Sequence, residues 1–373
     1  MRLSCFLFLL SFSLFGQAES SLESCKSVNC MIVVDAGSTG SRAHVYQYNR
    51  NDNDITITEL FSHKQKPGIA TLANQPQTIS SYLSELFSGI EVQEAIPVYF
   101  DATAGMRLLS DSQQKTIYQQ VTQWFKENPH YALIEAKTIT GKQEGVYSWL
   151  AVNYLSSQQN LIGVMDMGGA SVQISFPIDS KEGIASDNVA TVRYNGRDVT
   201  LFVHSFLGLG QTETTHQFLN EATCFPENYP LPNGKSAHGD ANKCDNQVEL
   251  LVNDVHHVHS LVAPVIPKST VSNWYVLGGL YYVVKADPFN YSETFSMASL
   301  MEKASVSICQ SDWGELSTQY DGDDYLYEYC FSPSYYHALI VKGYGLDEQQ
   351  PLSTLPSNVS GDWTLGVVLD VIG

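Results

Sequence analysis

The chain contains 373 residues, of which 43% are hydrophobic and 11% aromatic, so it can build a sizeable core and is not a disordered segment. Its 39 acidic and 20 basic side chains give a formal charge of −19. This charge excludes a general nucleic-acid binder, because such proteins need a basic surface to displace counterions from phosphates. The length predicts about two domains.

Residues 1–18 have the pattern of a signal peptide. Arg2 supplies a positive charge, an apolar run follows from residue 3 to residue 15, and the segment ends on small residues at Ala18. This run is shorter than the roughly 20 residues that a membrane-spanning helix needs, and no later apolar run approaches that length. We therefore expect a secreted protein, extracellular or periplasmic if bacterial, with no membrane span in its mature form. An uncleaved N-terminal anchor is the alternative.

Six cysteines follow the signal segment, and an even number in an exported chain predicts disulfides. Proximity in the sequence favours the pairs Cys224–Cys244 and Cys309–Cys330. Cys25 and Cys30 are then left either to pair with each other or to stay free. No two cysteines have the Cys-x-x-Cys spacing, so neither a zinc ribbon nor a thioredoxin-like redox site is predicted.

Strands and helices alternate along the rest of the chain. Strands are expected at residues 32–34, 42–48 and 96–100, from their apolar or alternating patterns. Helices are expected at residues 79–90, 111–125, 142–154 and 247–262, where apolar residues recur at helical spacing. Asp111 is expected to cap the second of these helices. A last apolar element covers residues 363–368. The alternation predicts an α/β sheet core.

One short pattern occurs twice. Residues 32–42 read IVVDAGSTGSR and residues 162–176 read IGVMDMGGASVQISF. Each copy is an apolar strand, then Asp-x-Gly, then a turn of small residues and an outgoing strand. Two copies, with Asp35 and Asp166 131 residues apart, predict a duplicated domain whose two turns face each other across a cleft.

The residue types in these turns suit an anionic ligand. Glycine, serine and threonine leave backbone N–H groups accessible, and such groups bind phosphate oxygens at close range. Asp35 and Asp166 end their strands beside the turns, where carboxylates can hold a hydrated divalent cation. Either turn alone could be an ordinary Asp-Gly hairpin, but the matched pair predicts a polyphosphate gripped from two sides.

Two further segments carry polar residues at the ends of predicted elements. Thr103 and Ala104 follow the strand at 96–100 and can add a hydroxyl and an N–H, with Arg107 nearby as a phosphate clamp. Thr140 and Gln143 fit a helix capping box, which leaves Glu144 without a structural role. Glu144 is then a candidate general base for water, and its flanking glycines would leave room for substrate.

A fifth segment, WYVLGGLYY at residues 274–282, joins a strand to a helix through two glycines. This arrangement would permit close approach of a nucleoside, although a packed strand end explains it equally well.

Taken together, the five segments in this order resemble the ecto-nucleoside triphosphate diphosphohydrolase (apyrase) family. The resemblance implies an α/β, two-domain actin-like (duplicated ribonuclease-H-type) fold with the active site in the interdomain cleft. It also implies hydrolysis of nucleoside tri- and diphosphates to the monophosphate, supported by Ca²⁺ or Mg²⁺. The domain division that follows is residues 25–157 with 345–373 for the N-terminal lobe, and 158–344 for the C-terminal lobe.

The resemblance also implies a role for each matched residue. The catalytic group comprises Glu144 as the base, Ser171 and Gln173 as the residues that orient the attacking water, and Thr103 beside the metal-bound water. Asp35 and Asp166 would hold the metal through water, and Tyr335 would stack the base. The phosphate-binding residues would be Ser38, Thr39, Gly40, Ser41, Ala104, Gly168, Gly169, Ala170 and Ser171. The pairs Cys224–Cys244 and Cys309–Cys330 match the two C-terminal bridges of soluble members.

The first turn reads Ser-Thr-Gly-Ser-Arg, which resembles the plant apyrase and diphosphatase-type branches, so a preference for diphosphates over triphosphates is open. The expected mechanism is direct attack of water on the terminal phosphorus without a phosphoenzyme. The alternatives are an exopolyphosphatase-type hydrolase of the same superfamily and a catalytically inactive nucleotide-binding protein. Because the overall charge repels anions, nucleotide binding is expected to depend on local N–H groups and on the divalent cation.

Overall fold

The computed structural model describes residues 22, 24–51, 54–156, 160–271, 273–357, 359 and 361–373. The predicted signal peptide at residues 1–18 lies outside this part of the chain. Among the described residues, none of the helices combines the length and the apolar character that a bilayer crossing requires.

The first of two mixed sheets has five strands in the order β3-β2-β1-β4-β5. Their bounds are β1 Cys30–Ala36, β2 Ser41–Asn51, β3 Asp54–Gln65, β4 Ile96–Ala102 and β5 Tyr131–Thr138. The central strand β1 is antiparallel to β2 and parallel to β4. The outer strand β3 is antiparallel to β2, and β5 is parallel to β4. The hairpin strands β2 and β3 are longer than the three parallel strands, of which β1 and β4 are largely buried.

The second sheet has seven strands in the order β11-β12-β10-β6-β7-β9-β8. Their bounds are β6 Gly163–Met167, β7 Ser171–Pro177, β8 Val189–Tyr194, β9 Arg197–Leu207, β10 Trp274–Gly278, β11 Thr294–Phe295 and β12 Leu352–Ser353. Five of these strands, β9-β7-β6-β10-β12, repeat the order and the directions of the first sheet. The duplicated, actin-like α/β fold that the sequence predicts is therefore confirmed.

Twelve α-helical segments are present in the described residues. The first six are α1 Ile79–Leu86, α2 Ala104–Arg107, α3 Asp111–Glu127, α4 Gly141–Leu155, α5 Gln211–Phe218 and α6 Ala241–Glu249. The other six are α7 Val258–Val262, α8 Gly279–Lys285, α9 Met297–Ala304, α10 Trp313–Gln319, α11 Phe331–His337 and α12 Trp363–Ile372.

The predicted helix starts are correct in one case and shifted in another. The capping box of α4 is present, since the Gln143 N–H donates to Thr140 Oγ1 at 3.1 Å and the Thr140 N–H donates to Gln143 Oε1 at 2.9 Å. Helix α3 is capped by Ser110 and not by Asp111, because the Ser110 side chain accepts from Gln113 in a second capping box.

The helix predicted from residue 247 to residue 262 is interrupted. Helix α6 continues as a π-helical turn, Leu250–Val255, and α7 then begins after His257, whose φ of 54° is left-handed. A non-glycine residue in this conformation breaks the helical hydrogen-bond ladder. The apolar periodicity is therefore shared by two helices that pack on the same core.

All six described cysteines form disulfides. The pairs Cys224–Cys244 and Cys309–Cys330 agree with the sequence prediction, and Cys25 pairs with Cys30 across a sequence separation of 5. The last pair settles the choice that the sequence left open. It closes a small loop directly before β1.

Two helices join the sheets. Helices α4 and α12 pack closely on each other, and one apolar cluster contains residues from both helices, from β1 and from β6. Of the C-terminal segment 345–373, β12 pairs with β10 in the second sheet, whereas α12 also packs on β1. The lobe boundaries given above remain a prediction. The layer formed by α4 and α12 determines how the strand ends of the two sheets meet.

Candidate active site

The first predicted phosphate loop joins β1 to β2. Asp35 lies near the end of β1, and Gly37, Ser38 and Thr39 form the turn before Ser41 begins β2. A Cβ atom added to Gly68 would lie 2.3 Å from the carbonyl oxygen of Ser38. Only a glycine at residue 68 lets the segment after β3 pack this closely against the loop.

The second predicted loop, Gly168 to Ala170, joins β6 to β7. It is held by the start of α5, where the Gln211 N–H donates to the Gly168 carbonyl at 2.9 Å and the Glu213 N–H donates to the Gly169 carbonyl at 3.1 Å. A Cβ atom on Gly210 would lie 2.2 Å from the backbone nitrogen of Ala170. Each phosphate loop is therefore supported by a glycine from elsewhere in the chain.

The two loops lie directly opposite each other. A Cβ atom on Gly169 would lie 2.7 Å from Ser38 Oγ and 2.9 Å from Thr39 Cγ2. This close approach across the two sheets is the arrangement that the sequence repeat predicts. Any ligand bound by one loop is therefore within reach of the other.

Thr103 and Ala104 lie beside the first loop. The Thr103 N–H donates to the Ala36 carbonyl at 3.2 Å, and a Cβ atom on Gly105 would lie 2.9 Å from Ser38 Cα. Thr103 is 5% exposed. The turn from β4 into α2 thus extends the wall of the first loop, as the parallel pairing of β1 with β4 requires.

Glu144 lies on α4 at the centre of a buried polar network. Its Oε2 accepts hydrogen bonds from the Arg107 guanidinium and from Gln173 Nε2, the latter at 3.1 Å. Gln173 Nε2 also lies 2.8 Å from Ser171 Oγ and 3.0 Å from Ser205 Oγ. Burial raises the pKa of Glu144 to about 7, although the Arg107 charge opposes this. Near this pKa a carboxylate is well suited to accept a proton at neutral pH.

The strand register explains how this network forms. Asp166 on β6 pairs with Gln173 on β7, and Gln173 pairs with Ser205 on β9, so all three side chains share one face of the sheet. Helix α4 covers that face and brings Glu144 to it. Ser205 was not among the residues predicted from the sequence, because only the pairing of β7 with β9 places it beside Gln173.

The glycines that flank Glu144 lie where α4 packs on β9. A Cβ atom on Gly141 would lie 2.2 Å from Ser205 Oγ, and one on Gly145 would lie 2.7 Å from Val203 Cγ1. These glycines let α4 approach β9, and Gly141 also lines an open cavity, so space for substrate beside Glu144 stays a prediction. In the fifth segment, Cβ atoms added to Gly278 and Gly279 would meet Met167 and Gln211, so the space beside these two glycines is already occupied by other parts of the chain.

Arg107, expected to be a phosphate clamp, is bound to Glu144. The two side chains are 15% and 8% exposed. Arg107 also lines a cavity of about 270 Å³ together with Gly141, Lys142 and Ser205. Its guanidinium thus lies between the candidate base and this cavity.

Asp35 and Asp166 form an acidic centre next to the two loops. Asp166 Oδ2 accepts a hydrogen bond from Ser148 Oγ at 2.6 Å, and burial raises the pKa of Asp166 to about 6. The pKa of Asp35 is raised well above its usual value by burial, and then by the neighbouring charges of Asp362 and Glu144. Asp35 Oδ1 is buried and has no hydrogen-bond partner.

This donor set fits a hydrated divalent cation. An unpartnered buried carboxylate oxygen surrounded by other carboxylates is stabilised by a nearby positive charge, and Ca²⁺ and Mg²⁺ prefer oxygen ligands. Within the described ranges, no group of three or more His, Cys, Asp or Glu side chains is close enough to chelate a metal directly. That Asp35 and Asp166 hold a cation through water stays a prediction.

A buried histidine and a C-terminal aspartate complete the acidic centre, and neither was predicted. His44 on β2 lies 2.7 Å from Glu59 Oε1 through Nδ1 and 3.4 Å from Asp362 Oδ2 through Nε2. Burial opposes the charged imidazole, yet the two carboxylates raise the pKa of His44 to about 9. For Asp362 the effect of burial is likewise overcome, because His44 lowers its pKa to about 2. No local pattern links two residues this far apart in the sequence.

Outside the loops the cleft widens to a volume of about 410 Å³. Its polar and aromatic lining residues come from both lobes: Ser38, Thr39, Lys64, Lys66, Thr212, Thr215, His216, Tyr325, Tyr327 and Glu328. The Tyr325 side chain is 55% exposed here. Two lysines and two tyrosines therefore lie at the mouth of the cleft, next to the predicted phosphate loops.

Tyr335, predicted to stack a base, does not line this cleft. It is completely buried on α11, its hydroxyl donates to the Leu209 carbonyl, and its ring lies 5.8 Å from that of Phe331. A base could not reach the ring unless this packing opened. The structure therefore gives no support to the predicted role of Tyr335, because α11 turns this residue towards the core.

Comparison with known proteins decides the family. A sequence model of the GDA1/CD39 (nucleoside phosphatase) family matches residues 21–372. The chain belongs to this family. As a member of this family, the chain is a hydrolase that acts on phosphoanhydride bonds. Members of the GDA1/CD39 family generally use divalent cations.

Individual members of the GDA1/CD39 family match over most of the chain. Ectonucleoside triphosphate diphosphohydrolase 1 of Rattus norvegicus is 26% identical and covers 93% of this chain, with 81% of its own length matched. Guanosine-diphosphatase of Schizosaccharomyces pombe is 31% identical, but over 54% of this chain and 40% of its own length.

Two solved structures show the same fold. Nucleoside triphosphate hydrolases from Neospora caninum superpose with a TM-score of 0.67 at 14% identity, over 92% of each chain. A Ppx/GppA family member from Aquifex aeolicus superposes with a TM-score of 0.54 at 16% identity, over 92% of this chain and 98% of its own. Both likenesses bear on the two-domain fold of this GDA1/CD39 chain and not on its substrate.

Proposed function

We propose that this chain hydrolyses nucleoside tri- or diphosphates to the monophosphate and inorganic phosphate. The observation that carries the proposal is the buried carboxylate of Glu144, which shares a hydrogen-bond network with Gln173 and Ser171 next to two facing phosphate loops. A general base, a water-positioning amide and two loops that hold phosphate oxygens are the parts that phosphoanhydride hydrolysis requires.

In the proposed reaction one water molecule attacks the terminal phosphorus directly. The Glu144 carboxylate accepts one proton of that water, a new P–O bond forms, and the P–O bond to the leaving nucleotide breaks with its electron pair going to the nucleotide oxygen. Gln173 and Ser171 orient the water. No phosphoenzyme forms, because no nucleophilic side chain is needed when the base acts on water.

The phosphate chain of the nucleotide would lie between the two loops. The N–H groups of Ser38 to Ser41 and of Gly168 to Ser171 would bind its oxygens, with Ala104 adding to the first loop. Asp35 and Asp166 would hold Ca²⁺ or Mg²⁺ through water, with Thr103 next to that water. The cation, when bound, offsets negative charge on the phosphates and carboxylates.

The local charge supports binding of an anion despite the formal charge of −19. Lys64 and Lys66 line the cleft next to Ser38. In the described residues neither lysine forms a salt bridge. Their charge is thus available to a nucleotide whose phosphates enter the loops, while Tyr325 offers an exposed aromatic ring to its base.

We also propose that the chain is exported. Three disulfides fit an oxidising compartment, extracellular or lumenal, since cytosolic thiols are kept reduced. N-terminal sequencing of the protein purified from its host would test removal of residues 1–18, and a mature protein that still begins at Met1 would contradict it.

Substitution of Glu144 tests the proposed base. E144Q keeps the size and most hydrogen bonds of the side chain but cannot accept the proton, so kcat should fall about 10²–10⁴-fold. Binding of a non-hydrolysable nucleotide, measured by calorimetry, should stay within a few-fold. The matched control is E85Q on the exposed face of α1, which should leave both values unchanged. Near wild-type turnover by E144Q would refute the role of Glu144.

The substrate class is tested by phosphate release from ATP, ADP, GDP and inorganic polyphosphate, each with Ca²⁺, Mg²⁺ or a chelator. Hydrolysis of the nucleotides with a cation, and loss of activity with the chelator, are expected. Release from polyphosphate alone would identify an exopolyphosphatase-type enzyme, and binding of nucleotides without any release would identify an inactive binding protein. Inversion of configuration at a chiral terminal thiophosphate is expected for direct attack, whereas retention would indicate a phosphoenzyme.

A further inference from the structure

We propose that Asp362 is a third carboxylate of the divalent-cation site, supplied by the C-terminal segment and fixed in position by His44. The inference rests on the proposed function, because it concerns the cation expected between Asp35 and Asp166. It adds a residue that lies 327 positions from Asp35 in the sequence and that neither phosphate-loop motif contains.

The strand register places His44 next to Asp35. In the β1–β2 pair, Val33 is opposite His44 and Asp35 is opposite Arg42. Directly opposed residues share a face, and so do residues two apart on one strand. His44 therefore lies on the face to which Asp35 points, and α12 packs on that same face, against both strands.

His44 acts as a clamp between two carboxylates. Its ring is completely buried, with Nδ1 2.7 Å from Glu59 Oε1 and Nε2 3.4 Å from Asp362 Oδ2. The Nδ1 contact is a hydrogen bond, whereas Nε2 has no hydrogen-bond partner and meets Asp362 as an ion pair. The buried ring thereby holds the Asp362 carboxylate beside the sheet.

Asp362 is fixed from its other side by the start of α12. Its Oδ1 accepts a hydrogen bond from the Thr364 N–H at 2.9 Å, and Thr364 Oγ1 lies 2.8 Å from the Tyr46 hydroxyl on β2. The carboxylate is thus held by the strand through His44 and by the helix through its own backbone. The Asp362 side chain is 18% exposed.

The charges around this position are those of a cation site. Asp35 lies near the end of β1 on this face, Asp166 accepts a hydrogen bond from Ser148 on α4, and α12, which Asp362 caps, packs on both α4 and β1. Of the carboxylates of this centre, Glu144 is paired with Arg107 and Asp362 with His44. Among the described residues, Asp35 and Asp166 form no salt bridge, so a divalent cation held between them would balance their charge. Asp35 Oδ1, which has no partner, is available to a water molecule of that cation.

The test separates a role in cation binding from a role in helix capping alone. D362N removes the negative charge but keeps a side-chain oxygen, and asparagine caps helices as well as aspartate does. Residues that support a metal site without direct coordination typically contribute about 10–100-fold to its affinity. We therefore expect D362N to bind Ca²⁺ and Mg²⁺ about 10–100-fold more weakly than the wild type, by calorimetric titration of chelator-treated full-length protein with the metal alone.

The matched control is D370N, on the exposed face of the same helix, which changes the formal charge equally and should bind the cations like the wild type. If D362N does not fold, as judged by circular dichroism, D362S keeps a capping hydroxyl and replaces it in the titration. Unchanged cation affinity in the folded variant would overturn the proposal, as would a wild-type chain that binds neither cation. Failure of the proposed function would be seen separately, as turnover by E144Q or as absence of nucleotide hydrolysis.

Discussion

The contact between Arg107 and Glu144 leads to a prediction about the pH dependence of hydrolysis. Both side chains are largely buried, and the Arg107 guanidinium donates to Glu144 Oε2. Burial raises the pKa of Glu144 to about 7, and Arg107 is the largest influence that keeps it from rising further. Substitution R107Q removes this charge while keeping a donor of similar reach, so the protonated form of Glu144 should become more stable.

The size of the shift follows from the closeness of the pair. An opposite charge at this range typically lowers a carboxyl pKa by about 1–3 units, so its loss should move the acid limb of the rate profile upward by at least about one unit. The base is active when deprotonated. The wild-type rate should therefore fall as the pH falls through about 7. At pH 7 a one-unit shift leaves about a fifth of the wild-type fraction of ionised base.

The assay is kcat against pH with saturating nucleotide and divalent cation, since that profile reports the pKa of the base in the enzyme–substrate complex. R107K, which keeps the positive charge, is the matched control and should shift the limb less than R107Q. An R107Q profile that is lower at every pH but has the wild-type midpoint would refute the reasoning. Arg107 would then act on the phosphates and not through Glu144.

Two further predictions concern packing around the site. G210A would place a Cβ atom 2.2 Å from the Ala170 nitrogen, and this backbone cannot move aside without displacing the second predicted phosphate loop, so kcat/KM should fall about 10²-fold. The control G196A adds a Cβ with no atom within 4 Å; it should lose some stability, because Gly196 has a left-handed φ of 74°, but should retain activity. Equal activity of the two variants would contradict the argument. Y335F removes the buried hydroxyl that donates to the Leu209 carbonyl, so the free energy of unfolding, measured by urea denaturation, should fall by about 1–3 kcal/mol. An unchanged free energy of unfolding together with an altered KM for nucleotides would instead favour a base-binding role for Tyr335.

The sequence alone predicted the parts of this protein that are encoded locally. The strand–turn–strand pattern around Asp35 and Asp166 predicted the duplication, because each copy carries its turn residues and its strands within about fifteen positions. The capping box at Thr140 and Gln143 predicted where α4 begins for the same reason. Proximity of the cysteines was sufficient for two of the three disulfides.

Only the tertiary structure decided which distant residues join these parts. Ser205 reaches Gln173 through the pairing of β7 with β9, Gly68 and Gly210 support loops far from them in the sequence, and Asp362 meets His44 because α12 packs on β1. Tyr335 shows the converse, since a motif placed it in the site but the packing of α11 turned it into the core. Interactions between neighbouring residues leave a periodic or spaced pattern in a sequence, whereas contacts made by packing sheets and helices against one another depend on the whole fold and leave none.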